Sequence, residues 1–499
     1  MPRLSGPKRR EKQNKIRGKT ANASDIRSIK ITSKDKSKVV DVSTSTINLR
    51  YYESILQDSI HASVAFVDAG NSVKSGKTKK SVVEGLPLEN SENVLLEFID
   101  NNDEKIKLTM YVNDHDISSS ETTKELVKLE LCSKEFILNE KKRIPERFDG
   151  PISEHVKLIL TDKKYLGSEK DIDIEDTQGE FTHYGKKQKC FYNLNILAQK
   201  SVPEGAPTGN SAGFFFFETS EGFVFKSIES FFGQEPKKRY IYNQTPDQGG
   251  SSVPEGYDGK ALLYEYTSKS NVQKKMMMGA KKTRLITYDP KTGEYIQEII
   301  DSDSTKTKQG GKEIPKDNPE FDTEGDEDFS RTVYQIKDTG TSPSGSGTGK
   351  SQEQLKKSSE ENLKSQLVVN QSIMRYNQLF ASETTILIPG DFTLHAGDAV
   401  WVDASSKEME VCADQIDKEK GGLYVISDLC HYLSEKETYT KINLIRDSTG
   451  RDTSKNKRAI TSDNSKPAKS ETSPDVQSSW SKRRNARKVM QDTFLPNIK

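Results

Sequence analysis

Gly390-Asp-Phe-Thr-Leu-His-Ala-Gly-Asp-Ala-Val-Trp-Val-Asp403 is followed by two related runs, Gly422-Leu-Tyr-Val-Ile-Ser-Asp-Leu-Cys-His431 and Thr438-Tyr-Thr-Lys-Ile-Asn-Leu-Ile-Arg-Asp447. Each is alternating or β-branched, and each ends at Gly or a charged turn. The three read as short strands of a small antiparallel barrel rather than as parts of a catalytic domain. The same pattern recurs upstream, at residues 45–52, 60–68, 93–100 and 105–113, between turns of Asp, Gly and Asn. Residues 126–132 and 135–139 continue the β pattern, and residues 69–85 form a loop with four lysines. The fold class expected is mainly β (α+β).

Composition bounds the rest. The 499 residues are enough for two to four domains, yet only 32% are hydrophobic and 30% are charged, so a good part of the chain lies outside any core. No stretch has the eighteen or so consecutive apolar residues of a membrane span, and Met1-Pro-Arg-Leu-Ser-Gly-Pro-Lys-Arg-Arg10 has no apolar run after its charges. A soluble chain without a secretory leader is expected. Cys132, Cys190, Cys412 and Cys430 stand singly, as buried thiols of a reducing compartment do.

The net charge of +1 hides segregation. Residues 1–40 hold thirteen Lys/Arg against three Asp/Glu, and residues 451–499 hold twelve against five, which leaves −16 on residues 41–450. Both ends are apolar-poor, so they are expected to act as solubilising tails, or to dock on acidic surfaces or nucleic acid. Trp480, Arg483, Arg484, Arg487, Phe494 and Leu495 combine basic groups with apolar anchors and are the candidate partner-docking residues.

Eight of the nineteen phenylalanines fall in residues 213–232, flanking Glu218-Thr-Ser-Glu-Gly222, which predicts a buried hairpin. A base-stacking platform would interleave Arg and Lys, and only Lys226 is present. Helices are expected over residues 153–166, 192–198 and 351–380, and Thr283-Arg-Leu-Ile-Thr-Tyr-Asp-Pro-Lys-Thr-Gly-Glu-Tyr295 reads strand, turn, strand. Residues 301–350, rich in Ser, Thr, Gly, Lys and Asp, read as a flexible insertion.

No catalytic constellation emerges. Gly349-Lys350-Ser351 lacks the upstream glycine of a phosphate-binding loop, since position 344 is Ser, and Gly76-Lys77-Thr78 fails similarly. The six histidines, at 61, 115, 155, 183, 395 and 431, lack zinc-site spacing, and no Gly-x-Ser-x-Gly elbow occurs. No catalytic, cofactor-binding or metal residues, and no cofactor, are expected.

Several segments, in one order, resemble the central baseplate hub protein of contractile-tailed (myovirus-type) bacteriophages, related to the hub part of type VI secretion spike proteins. They are Tyr51-Tyr-Glu-Ser-Ile-Leu-Gln-Asp-Ser-Ile-His-Ala-Ser-Val-Ala-Phe-Val-Asp-Ala-Gly70 with Leu86-Pro-Leu88 and Glu92-Asn-Val-Leu-Leu-Glu-Phe98, then residues 213–232, Arg284-Leu-Ile-Thr-Tyr-Asp-Pro290, and residues 422–450. The resemblance covers about residues 41–450. It implies two tail-tube-like β-barrel domains, 41–150 and 256–450, with a helix-containing middle domain at 151–255. The second barrel would carry the insertion 301–350 and the helix 351–380, and basic tails 1–40 and 451–499 would flank the whole.

The resemblance further implies a virion protein of the tail baseplate, assembled in the host cytoplasm. Three copies would form a pseudo-sixfold ring that joins the tail tube to the central spike and lines the channel for DNA ejection. Its partners would be the spike, tail tube or tube-initiator proteins and baseplate wedge proteins, with DNA passing unbound and no membrane involved. Two other classes of function are a tail-associated cell-wall-degrading enzyme, for which residues 451–499 are too short a domain, and a nucleic-acid-binding protein acting through its tails.

Overall fold

The computed structural model describes residues 25–446, apart from 71–72, 76–77, 87, 89–90, 101–103, 122–123, 206–210, 243–252, 254–255, 269–272, 274–276, 278–281, 290–292, 302–328, 337–364, 381 and 405–419. It is mainly β. The first strands are β1 (Asp25–Thr32), β2 (Val39–Asp41), β3 (Thr46–Ser54), β4 (His61–Asp68), β5 (Asn93–Ile99), β6 (Lys105–Glu121) and β7 (Lys124–Cys132). They pair in the order β3-β4-β7-β6-β5-β1-β2. Because β2 and β3 are one run of chain joined by a single 3-10 turn, pairing with β1 at one end and β4 at the other, the ladder closes into a six-stranded barrel. Period-2 alternation sends Leu49, Tyr51, Val64, Phe66, Leu96 and Phe98 into one core.

The N-terminal boundary therefore differs from the expected 40/41. Residues 25–32 carry Ile29 and Ile31, both fully buried, and β1 fills the place between β5 and β2. Residues 135–139 were expected to be extended but belong to helix α1 (Lys134–Lys141). The buried positions there are Glu135 and Asn139, a spacing of four that only a helix puts on one face.

The middle domain adds α2 (Ile152–Thr161), β8 (Asp171–Ile174), α3 (Cys190–Gln199), the hairpin β9 (Phe214–Thr219) and β10 (Gly222–Ser227), and α4 (Ile228–Phe232). The Phe-rich run is the expected hairpin, paired from Phe214↔Ser227 to Thr219↔Gly222, but its last five residues turn into helix, capped by the Ser227 hydroxyl. Its faces serve two cores. Phe214, Phe216, Phe223 and Phe225 pack with α2 and α3, whereas Phe215, Phe217, Phe231 and Phe232 pack against the barrels. At ~1.5–3 kcal/mol for each fully buried large apolar side chain, the hairpin's phenylalanines stabilise the fold as a wedge between two cores.

The last part holds β11 (Lys238–Tyr242), β12 (Gly259–Lys260), β13 (Leu263–Ser268), β14 (Lys282–Tyr288), β15 (Tyr295–Asp301), β16 (Arg331–Ile336), α5 (Ser365–Leu379), β17 (Ser382–Pro389), β18 (Ala399–Ala404), β19 (Gly422–Ser434) and β20 (Thr438–Ile445). Six-stranded closure recurs. The order is β11-β18-β19-β20-β17-β13, and the run β12–β13 pairs with β11 at its start and β17 beyond, sealed by stacking of Tyr242 on Tyr264 at 5.5 Å. Residues 238–242, expected in the middle domain, thus belong to the second barrel through their parallel ladder with β18. Of the opening stretch, only Ala399–Ala404 is strand. The Asp391 carboxylate accepts from the Thr393 amide and hydroxyl, and Gly397 has φ +86°, so residues 391–398 are turns.

Between β13 and α5, strands β15, β14 and β16 form a separate three-stranded sheet. Residues 331–336, inside the expected flexible insertion, are its third strand, paired in parallel with β14. The described helix of residues 351–380 is Ser365–Leu379. The terminal tails before residue 25 and after 446, with all six candidate docking residues, and Cys412 lie outside the described residues.

Candidate functional site

Among the described residues, the buried polar groups of interest gather where the two barrels and the Phe-rich hairpin meet. The barrels are fused by one ladder. Strand β19 leaves β18 after Val425, bulges at Ser427, and pairs with β3 from Asp428↔Ser54 to Ser434↔Asn48, making a single fourteen-stranded sheet. The Ser54 hydroxyl donates to Asp428 Oδ1 at 2.6 Å, and the Ile55 amide donates to the Ser427 carbonyl at 2.9 Å. The bulge lets one strand serve both barrels.

At the head of this ladder Glu53 is 1% exposed. Its carboxylate accepts from four donors on three domains: Tyr51 Oη at 2.8 Å, the Ser220 amide of the hairpin turn at 2.8 Å, the Ala396 amide of the second barrel at 3.0 Å, and His395 Nδ1 at 3.3 Å. Burial pushes Glu53 toward its neutral acid, but the His395 hydrogen bond and charge, with the two amides, outweigh it and hold the group below the usual glutamate range. Burial would likewise discharge His395, and the Glu53 carboxylate outweighs that and raises it. Because the carboxylate is charge-assisted and fully partnered, removing any one partner would leave an uncompensated charge in the interior.

Two further cations pin the same junction, Lys170 half-buried and Arg375 buried. Lys170 lies between Glu135, at 2.7 Å, and Glu218 on the hairpin, whose other oxygen accepts from the Ile60 amide of the first barrel at 3.2 Å. The two carboxylates outweigh burial and raise Lys170, which stays a cation. Arg375 of α5 donates to Glu229 of α4 at 2.6 Å, with the Ser211 hydroxyl on the same oxygen at 2.7 Å. Phe392, from the turn before β18, completes the seam. It enters the first barrel's core against Phe98 (5.2 Å) and His431 (4.6 Å), and its amide donates to Asp100 at 3.0 Å.

Ser220, His395 and Glu53 are the residue types of a nucleophilic triad, but the geometry is not one. Hydroxyl and carboxylate both approach Nδ1, each at 3.3 Å, whereas a triad places them on opposite ring nitrogens. Nε2 faces Glu221 at 3.6 Å. Among the described residues no three His, Cys, Asp or Glu side chains gather to hold a metal ion, and no helix is long and apolar enough to cross a membrane. Cys132, Cys190 and Cys430 are buried free thiols, and burial pushes Cys430 up to about 12, far from the reactive thiolate.

None of these junction residues stands out as a sequence motif. Parity supplies the one signal for Glu53, which shares the inward face of β3 with Leu49 and Tyr51. Glu218 ends an otherwise apolar run of four phenylalanines.

No protein-family profile matches the sequence, and no curated protein matches it. Among solved structures the chain is similar to a 43 kDa tail protein of prophage MuSo2 from Shewanella oneidensis, at 9% identity and TM-score 0.48, over 84% of this chain and 98% of that one. It is similar to a tail protein from Neisseria meningitidis MC58, at 8% identity and TM-score 0.46, over 85% and 97%. It is also similar to the E. coli c3393 protein, a type VI secretion component described as resembling T4 tail proteins gp27 and gp5, at 7% identity and TM-score 0.38, over 80% and 73%.

Proposed function

We propose that this chain is the structural hub of a contractile phage baseplate, without enzymatic activity. In this reading three copies close a pseudo-sixfold ring, seat the central spike below, receive the tail tube or its initiator above, and meet wedge proteins at the rim. Genomic DNA passes through the channel without specific binding, and the protein resides in the virion tail. The observation that carries the proposal is the pair of closed six-stranded barrels fused side by side through β3 and β19. Three such chains supply six barrels around one axis, which matches a sixfold tube to a threefold spike. The ordered sequence resemblance across residues 41–450 points the same way. So does a junction in which buried Glu53, Glu229 and Arg375, with half-buried Lys170, hold the domains together.

Light scattering of the chain alone and with its spike tests this. A trimer is the expected species in the complex, and a stable monomer in the presence of the spike would overturn the proposal.

A further inference from the structure

The central strand of the three-stranded sheet has one buried face and one open one. On the central strand β14, Thr283, Leu285 and Thr287 are 1%, 3% and 7% exposed. Register places the alternate residues on the opposite face: Tyr288 pairs with both Tyr295 and Ile336, Ile286 pairs with Tyr334, and Arg284 pairs with Ile299. There Tyr295, Tyr334 and Ile336 are 74%, 73% and 73% exposed and Ile299 is 39% exposed. Polar side chains would serve a solvated face better, and clustered apolar groups of this kind mark interaction surfaces.

We propose that this face is the acceptor for the C-terminal segment of the chain itself, with Trp480, Phe494 and Leu495 as the side chains that bury on it. The inference rests on reading that segment as a docking element, and it is independent of whether a ring forms. Position and length favour this occupant. Strand β13, which leads into the sheet, ends where Ser268 pairs with Ser382, and the last strand ends beside it where Glu383 pairs with Ile445. The sheet and the C-terminal segment therefore leave the second barrel at the same end. The 35 residues from Ile445 to Trp480 reach at most ~115 Å, and the 14 from Ser268 to Lys282 confine the sheet to within ~50 Å of that end, so the contact is within range.

Charge favours it too. Strand β15 itself carries Glu298 and Asp301 and no Lys or Arg, whereas Trp480 and Phe494 are separated by Arg483, Arg484, Arg487 and Lys488. Basic groups steer the segment to the acidic strand while its aromatic residues bury against Tyr295 and Tyr334.

The test uses the full chain and its Trp480→Phe variant, whose difference in fluorescence isolates Trp480 from buried Trp401. Trp480 is expected to emit to the blue of a free tryptophan. Tyr334→Lys with Ile336→Lys, which puts positive charge on the bare face, should abolish that shift, and Tyr334→Phe should keep it. Both positions are more than 70% exposed, and unchanged melting temperatures confirm that the variants fold. Emission like that of a free tryptophan in every form would overturn the proposal together with the docking reading. A blue shift that survives both lysines would overturn the acceptor alone. A second measurement, slower amide exchange in Tyr295–Asp301 and Arg331–Ile336 of the full chain than in a Trp480→Ala, Phe494→Ala variant, is expected, and equal exchange counts against the proposal.

Discussion

Glu53 of the first barrel and His395 of the second face one another across the seam, Oε1 to Nδ1 at 3.3 Å, with the hairpin's Ser220 amide on the same carboxylate oxygen. Removing the acid strands a histidine and two amides in the interior. Glu53→Ala is therefore expected to cost about 3–5 kcal/mol, the usual effect of breaking a buried ionic pair. Glu53→Gln, which keeps the shape and one acceptor, should cost less, about 1–3 kcal/mol. Denaturant unfolding checks both, and equal stability of Glu53→Ala and wild type would show that the seam does not depend on the carboxylate. The histidine half has a pH signature. Its folded pKa is raised, so its contribution is fully present below the unfolded value near 6.5 and is lost as pH rises through the folded one. The stability gap between wild type and His395→Gln should be widest at pH 6 and narrow in alkaline buffer.

Acid destabilisation is the second expectation. His431 is fully buried beside Tyr51 and Phe392, and burial pushes it down to about 3, while burial likewise brings His183 to about 4. Both are neutral in the folded protein and charged in the unfolded chain below pH 6.5, so stability falls with pH through that window. Each costs about 1.4 kcal/mol per pH unit, or about 2 kcal/mol at pH 5. His395, raised when folded, works the other way near pH 6.5 and adds no slope well below it. Melting curves from pH 7 to 5 should show the loss, and His431→Leu should flatten it in part, since burial also lowers His61 and His155. An unchanged slope in that variant would remove His431 from the account.

The mainly β fold was legible in the sequence because period-2 alternation survives in strands such as Asn93–Ile99, whose buried residues are Val94, Leu96 and Phe98. The hairpin was legible because phenylalanines buried on both sides leave a continuous apolar run. The junction was not, since burial of Glu53, Glu218 and Glu229 depends on donors 146 to 343 residues away in the chain, and local pattern carries no record of such partners. Helix α1 was misread for a related reason. Its buried face holds Glu135 and Asn139, polar groups that satisfy Lys170 and the Phe191 amide, so it showed no apolar stripe to recognise.

Gly222 tests the hairpin's place in the fold. It sits at φ +144°, and a Cβ there would lie 2.1 Å from the Asp171 carbonyl oxygen of the neighbouring parallel strand. Gly222→Ala should force β8 away from β10 and destabilise by about 2–4 kcal/mol, combining overpacking with backbone strain. Thermal unfolding measures it, and a shift of less than about 1 °C would mean that the β8–β10 ladder is dispensable.

Charge segregation gives the final expectation. Since the first barrel begins at Asp25 rather than at residue 41, the folded part of the chain gains five Lys/Arg and two Asp/Glu, and residues 25–450 carry −13. In the proposed hub, a channel wall sharing that balance would repel phosphates and let DNA move past without sticking. Protein trimmed to residues 25–450 is expected to show no measurable retention of duplex DNA even at low salt, whereas the full chain, with +7 at each end, should retain it weakly and lose it as salt rises. Tight, salt-sensitive binding by the trimmed protein would place a basic track on the barrels themselves and remove the non-sticking channel from the hub reading.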